Sequence, residues 1–191
     1  MLRWLAKLYM LIFLQIVILG LCLAGCQTPN LRPVTDQISK QSDIHLAGIN
    51  TNKWIAENQD TSETRLTVYS CNHPTCPKGT AVSYLVTKSS LAQYGSKTIE
   101  QTFIDAKKKL EGEGAVFSAN YPARFKGFMA IKRDYRKEYS GTLKFLSSTI
   151  FFTKDTQVVI AAAASDAKSA RKYRDEFVSK LEIKDGGTVA Q

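Results

Sequence analysis

The sequence predicts an α+β domain, in which an antiparallel β-sheet of about five or six strands packs against two main α-helices. Short turn signals separate the β-rich runs, as at Ser140-Gly141 and Lys154-Asp155. Connections of that length exclude a parallel sheet, whose crossovers need about a dozen or more residues. Two amphipathic helices must then bury their apolar faces on this sheet. With 191 residues, 44% hydrophobic and 23% charged, the chain has room for one globular domain and is not disordered.

The predicted strands are β-rich or alternating runs bounded by turn residues. A short strand is expected within Leu46–Ile55, with Trp54 as its apolar anchor. A hairpin follows, with a turn rich in Pro, Asn and Gly between its two strands. A lead-in at 115–118 precedes the last three strands. In chain order, the strands after the first are expected at Arg65–Cys71, Ala81–Lys88, Gly127–Glu138, Thr142–Thr153 and Gln157–Ala164.

Two segments have apolar residues at helical spacing. The first helix is expected to begin at Thr98, which forms a capping box with Gln101, and to end at Gly112 and Gly114. The second is expected to open at Ser165 or Asp166. The apolar faces consist of Ile99, Phe103, Ala106 and Leu110 in the first helix, and of Ala167, Ala170, Tyr173, Phe177 and Leu181 in the second.

The first 25 residues have the parts of a secretory signal: Arg3 and Lys7, then the apolar run Leu8–Leu21, then small residues. The tetrapeptide Leu23-Ala24-Gly25-Cys26 resembles the lipobox of bacterial lipoproteins. The resemblance implies a signal helix that is cleaved before Cys26, and a diacylglycerol on its thiol that anchors the chain to the membrane. The alternative is an uncleaved signal anchor, because an apolar stretch of about 18 residues approaches the roughly 20 that span a bilayer.

The same resemblance predicts where the protein resides. In Gram-negative lipoproteins an Asp after the lipidated cysteine tends to retain the protein at the inner membrane, whereas this chain has Gln27. We therefore expect an outer-membrane protein that faces the periplasm. The domain organisation is predicted as signal peptide 1–25, lipidated cysteine and flexible tether 26–44, globular domain 45–184 and disordered tail 185–191.

Cleavage of the predicted signal peptide would change the net charge of the chain. Loss of Arg3 and Lys7 with the signal lowers the formal charge from +9 to +7, which still favours an anionic partner. Basic residues cluster on the first helix, on one strand and on the last helix, and solvated faces are the simplest interpretation. We expect an envelope protein, or an anionic glycan or lipid, as partner, and no nucleic acid. The three clusters are Lys107–Lys109; Lys132, Arg133, Arg136 and Lys137; and Lys168, Arg171, Lys172 and Arg174.

The segment from Cys71 to Cys76, at the tip of the predicted hairpin, is the strongest local candidate for chemistry. A structural disulfide between these two cysteines is favoured, since an even number of cysteines remains in an oxidising compartment. One alternative is a metal site formed by Cys71, His73 and Cys76, although zinc normally needs a fourth ligand and only His45 is left as another histidine. Another alternative is a redox disulfide.

Motifs typical of catalysis are missing from the sequence. There is no Gly-x-Ser-x-Gly, no Gly-rich phosphate loop and no paired carboxylate cluster, and the whole chain has two histidines. We therefore expect a protein that is not an enzyme and has no cofactor.

The later part of the chain resembles the PsbP-like and DcrB-like group of α+β proteins. The resemblance concerns mainly Gly127–Ile183. It rests on the strand Val158–Ala164, in which an apolar run is followed by small residues, then on Phe177 and on Leu181-Glu182-Ile183, which would end the last helix. It implies a fold, and a non-enzymatic accessory or envelope role. The sequence thus favours a lipid-anchored binding, structural or assembly module. Metal-binding or thiol-redox envelope proteins, and entry-exclusion or host-interaction lipoproteins, are the alternatives.

Overall fold

The computed structural model describes residues 43–88, 99–153 and 156–184. The predicted signal peptide, almost all of the predicted tether, Thr98, the Lys154-Asp155 turn and the tail 185–191 lie outside these ranges. The elements are β1 Asp43–Leu46, β2 Trp54–Asp60, β3 Thr64–Cys71, β4 Ala81–Lys88, α1 Ile99–Gly112, β5 Val116–Phe125, β6 Phe128–Tyr139, β7 Thr142–Phe152, β8 Thr156–Ala164, α2 Ala167–Ser179 and β9 Leu181–Lys184.

Seven strands form one antiparallel sheet in the order β2-β3-β4-β8-β7-β6-β5, and β1 pairs with β9 in a second, two-stranded sheet. The α+β class and the two helices are confirmed. The predicted count of five or six strands is too low. Part of the difference is β5, which extends far beyond the lead-in at 115–118 and contains Pro122, a residue tolerated on edge strands.

The turn between β5 and β6 shows why the sequence did not predict the full length of β5. Lys126 and Gly127 have φ angles of 47° and 85°, which two-residue hairpin turns of type I′ require. Ser140 and Gly141, at 48° and 75°, make the same kind of turn between β6 and β7, as the sequence predicted. A glycine after lysine is a weaker hairpin signal than one after asparagine or aspartate.

The large sheet is covered on both faces. On one, called the α2 face, helix α2 and the β1–β9 sheet pack on alternate residues of β4, β7 and β8. Trp54 lies at its centre, with its ring 5.3 Å from that of Tyr173 and 5.0 Å from that of Phe177, edge to face in both cases. On the opposite face, Phe103 of α1 packs on a smaller cluster that includes Phe152. The fold therefore has three layers.

Helix α2 begins as predicted and ends earlier than predicted. Asp166 is its N-cap, since the backbone N–H of Ser169 donates to Asp166 Oδ1 at 2.8 Å. The helix stops at Ser179, and Leu181 opens β9 with its side chain buried in the core. The expectation that Leu181 continues the helical face, and that Leu-x-Ile ends the helix, is therefore wrong. The spacing from Phe177 fits a helix, but the chain enters an extended strand.

No helix in the described ranges is both long enough and apolar enough to cross a membrane.

Candidate functional site

The strand register brings three features to one end of the large sheet. Ala81, which opens β4, lies opposite Ala163 of β8, and Ala163 lies opposite Leu146 of β7. Leu146 in turn lies opposite Tyr135 of β6. The β3–β4 loop, the start of α2 and the first residues of β7 therefore share this end, which we call the disulfide end.

Cys71 and Cys76 form the disulfide that the sequence favoured, with their Cα atoms 6.3 Å apart. Both cysteines pack against the core of the α2 face. The loop is also held by backbone hydrogen bonds, from Cys71 N–H to the Thr80 carbonyl and from Cys76 N–H to the His73 carbonyl, each at 3.0 Å. The loop is therefore anchored at its base as well as cross-linked.

His73 lies in this loop as an exposed side chain. Its Nδ1 is 2.8 Å from Thr75 Oγ1, a local contact within the turn. With Cys71 and Cys76 bonded to each other, neither sulfur is a thiolate that could bind a metal. In the part of the chain that the structure describes, no group of three or more His, Cys, Asp or Glu side chains could hold a metal ion. The metal and redox alternatives at Cys71, His73 and Cys76 stay predictions.

Lys144 connects the disulfide loop to the strands beside it. It lies near the start of β7 and is buried. Its Nζ would be 2.8 Å from a Cβ placed on Gly79, a loop residue whose φ of +73° also favours glycine. The loop therefore lies directly against the start of β7, next to Phe145.

A cleft of about 300 Å³ opens at the disulfide end, between α2 and strands β5, β6 and β7. Its apolar lining includes Val116, whose side chain is 53% exposed, and the half-buried Phe145. Its polar lining includes Asp134, Arg136 and Arg171. The volume is at the lower end of the range, roughly 300–1,000 Å³, in which proteins bind small molecules.

Asp134 is the centre of the polar network in this cleft. Arg174 Nη1 lies 3.0 Å from its Oδ1, and Ser147 Oγ donates to the same oxygen at 2.5 Å. Arg171 Nη1 is farther away, 3.8 Å from Oδ2, and its side chain is half exposed. The carboxylate is therefore already paired through Arg174, and Arg171 keeps much of its hydrogen-bonding capacity.

The basic clusters are not uniform solvated faces. Arg174, a member of the basic cluster on the last helix, is buried at 4% exposure. Arg133 is also buried; its Nε donates to Asn120 Oδ1 at 3.1 Å and its guanidinium lies 4.9 Å from the ring centre of Phe103. Burial lowers the pKa of Arg133 below its usual value. Lys137 is paired with Glu113 at 2.7 Å.

Tyr135 follows Asp134 in β6, and its side chain lies on the opposite face of the sheet, in a cluster with Leu146 and Leu110 of α1. Burial raises its pKa to about 12, with the Arg133 charge acting in the other direction. Burial likewise raises the pKa of Tyr139. The ring of Phe117 lies 5.0 Å from that of Tyr135 in the same cluster. The tyrosine is therefore neutral in the physiological pH range and adds no charge to the strand that carries Asp134 and Arg136.

The sequence contained each cleft residue but gave no sign that they meet. Arg136 and Arg171 were noted only as members of separate basic clusters, and Val116 only as part of a lead-in. Their proximity depends on the pairing of β5 with β6 and on where α2 crosses the sheet, neither of which a single sequence encodes locally.

No protein-family model and no curated protein matches this chain. Solved structures do. The PsbP protein of the cyanobacterium Synechocystis is 8% identical, covers 80% of this chain and 98% of its own, and has a TM-score of 0.52. Two others have TM-scores of 0.46: LpqN, involved in cell envelope biogenesis of Mycobacterium tuberculosis (14% identical, covering 81% and 90%), and the Pseudomonas aeruginosa protein PA94 of unknown function, a putative regulator (12% identical, covering 62% and 78%). At these identities the likeness to cyanobacterial PsbP concerns the fold alone, and the described domain has a PsbP-like α+β fold.

Proposed function

We propose that the chain is a lipid-anchored cell-envelope protein whose domain is a non-enzymatic binding module, with the cleft at the disulfide end as its binding site. The observation that carries this proposal is the position of the Cys71–Cys76 disulfide at the same end of the sheet as the open cleft. Structural disulfides persist in oxidising compartments, outside the cytosol. The apolar and polar side chains that line the open cleft are a combination typical of binding sites.

The anchor is assigned to Cys26 through the lipobox resemblance. Residue 27 is Gln and not the Asp that tends to retain lipoproteins at the inner membrane, which favours the outer membrane, facing the periplasm. Each buried methylene of an acyl chain contributes about 0.8 kcal/mol to membrane binding, and stable attachment takes two anchors, such as two acyl chains. A diacylglyceryl cysteine carries two acyl chains. The segment 26–44 would hold the domain close to the membrane surface.

The cleft is better suited to binding than to catalysis. Ser147 is the hydroxyl closest to a carboxylate there, but the residue is fully buried and its proton is donated to Asp134. A nucleophile must be reachable by substrate and activated by a base that is free to accept its proton. Asp134 is instead held by Arg174, as expected for a structural pair.

The anchor is tested by metabolic labelling with a palmitate analogue. Cys26→Ala should abolish the label, because the acceptor sulfur is removed. Cys22→Ala is the matched control, since this cysteine lies four residues earlier within the predicted signal and should leave labelling intact. Labelling that persists in Cys26→Ala contradicts the assignment.

The binding site is tested by a photo-crosslinking amino acid placed at Val116, in intact cells. Ile55 on strand β2, at the opposite edge of the sheet, is the control because its exposure of 49% is close to the 53% of Val116. We expect a discrete crosslinked species from Val116 and none from Ile55. Equal crosslinking at the two positions, or none at Val116, contradicts a binding site in the cleft.

A further inference from the structure

The charges around the cleft do not cancel. Three guanidinium groups, those of Arg136, Arg171 and Arg174, lie in or beside it, against the carboxylates of Asp134 and Asp175. Both carboxylates contact Arg174, which is 4% exposed and lies beneath the cleft. The cleft is therefore positive overall, and the excess charge is on the exposed arginines.

Arg136 and Arg171 are both available to a ligand. Arg136 is exposed, and within the described ranges it forms no ion pair. Arg171 is half exposed, and its Nη1 is as far as 3.8 Å from Oδ2 of Asp134, a carboxylate whose other oxygen is paired with Arg174. Guanidinium groups are planar forks whose N–H donors match the oxygens of carboxylate and phosphate.

The remainder of the wall is apolar. Val116 and Phe145 lie on the α2 face of the sheet beside the two arginines. Val116 leaves 53% of its surface exposed, so its side chain is accessible to the apolar part of a ligand. A simple inorganic anion would use the arginines and leave this wall in water.

We infer that the cleft binds an organic phosphate, whose phosphate group is held by Arg136 and Arg171 and whose apolar part covers Val116 and Phe145. Phosphate is favoured over carboxylate because its additional oxygens can accept hydrogen bonds from two guanidinium groups at once. The ligand has two candidate sources with the same chemistry: a soluble phosphate monoester and a phospholipid headgroup. The inference rests on the proposed binding role of this cleft.

The test is isothermal titration calorimetry on the full chain, purified in a neutral detergent at low ionic strength. Phenyl phosphate is the soluble probe, and dihexanoylphosphatidylglycerol below its micelle concentration is the lipid probe. Binding of either one supports the shared chemistry, and which one binds more tightly identifies the source. If neither binds, the inference is wrong.

Variants assign the binding to the cleft. Arg136→Gln and Arg171→Gln should each weaken binding by about tenfold or more, since each removes a charge-assisted contact. Arg124→Gln is the matched control: Arg124 is an exposed arginine of the same sheet, at the opposite end of β5. Equal weakening in all three variants would show general attraction to a basic protein and overturn the inference.

The apolar wall needs its own control. Inorganic phosphate and phenol each carry half of the phenyl phosphate molecule, and both should bind about tenfold more weakly. If inorganic phosphate binds as tightly as phenyl phosphate, the wall takes no part and the ligand class is wrong. If no probe binds but Val116 still gives a specific crosslink in cells, the ligand class fails while the proposed binding site stands.

Discussion

Arg174 Nη1 lies 3.0 Å from Asp134 Oδ1, so a buried arginine of helix α2 is paired with a carboxylate of strand β6. The pair joins the helix to strand β6, next to strands β7 and β8 on which the helix packs. Ser147 Oγ donates to the same carboxylate oxygen, which adds strand β7 to the junction. One carboxylate thus connects three elements at the base of the cleft.

Arg174→Met should destabilise the domain by about 3 kcal/mol, because removing one partner of a buried pair leaves the other charge uncompensated. The measurement is urea unfolding at neutral pH. Arg171→Met is the control: this arginine approaches the same carboxylate but is half exposed, and its loss should cost less than about 1 kcal/mol. Equal costs for the two variants would show that the buried pair does not hold the helix.

Replacing both Cys71 and Cys76 by serine should lower the free energy of unfolding by about 2 kcal/mol. In the chain-entropy model, a disulfide that closes a short loop contributes roughly this amount by restricting the unfolded chain. The wild-type protein treated with reductant should lose the same stability, and the double variant should not respond to reductant. If full reduction, verified by mass, leaves the wild-type unfolding curve unchanged, the disulfide contributes nothing to stability.

The general architecture could be predicted because it depends on local signals. Strand β3 alternates polar and apolar residues, and turn residues separate it from β4. Asp166 marks the start of α2 because its side chain can accept a hydrogen bond from the first turn of a helix. Leu181 was misassigned because its spacing from Phe177 equals that of a helical neighbour. Its burial in β9 depends on pairing with Leu46, far away in the sequence.

The cleft could not be predicted, because it depends on register and on burial of charge. Nothing near Arg174 in the sequence distinguishes it from Arg171, yet one is buried against Asp134 and the other is exposed. The difference is set by which turn of α2 faces β6. The cysteine pair could be predicted because the two residues are five apart and lie on one turn.

Tyr135 should make the domain sensitive to alkaline pH. Its pKa rises from 10.0 to about 12 on folding, mainly through burial. The folded state therefore keeps its proton where the unfolded state has lost it. This contribution is fully present below pH 10, and roughly 3 kcal/mol of stability is lost as the pH rises from 10 to about 12.

The loss of stability at alkaline pH is measured by urea unfolding of the wild type and of Tyr135→Phe between pH 9 and pH 12. The variant cannot ionise at this position, so its stability should fall less steeply, while lysine titration affects both proteins alike. In a titration followed by absorbance at 295 nm, the variant should have one fewer tyrosine that ionises only at high pH than the wild type has. Parallel stability curves would contradict the assignment.

The cap of helix α2 provides a prediction at acid pH. Asp166→Ala should cost about 1 kcal/mol, because the Ser169 N–H loses its acceptor. That hydrogen bond also lowers the pKa of Asp166 below 3.8. The stability that the charged form contributes is therefore present above pH 3.8 and is lost as the pH falls through the lower pKa of the folded state.

Asp166→Asn is the control, since asparagine retains an acceptor without a charge. Its stability at neutral pH should lie close to the wild type, and it should lack the acid-dependent loss assigned to Asp166. The measurement is thermal unfolding of all three proteins between pH 2.5 and pH 7, and an Asn variant as unstable as the Ala variant would contradict a capping role.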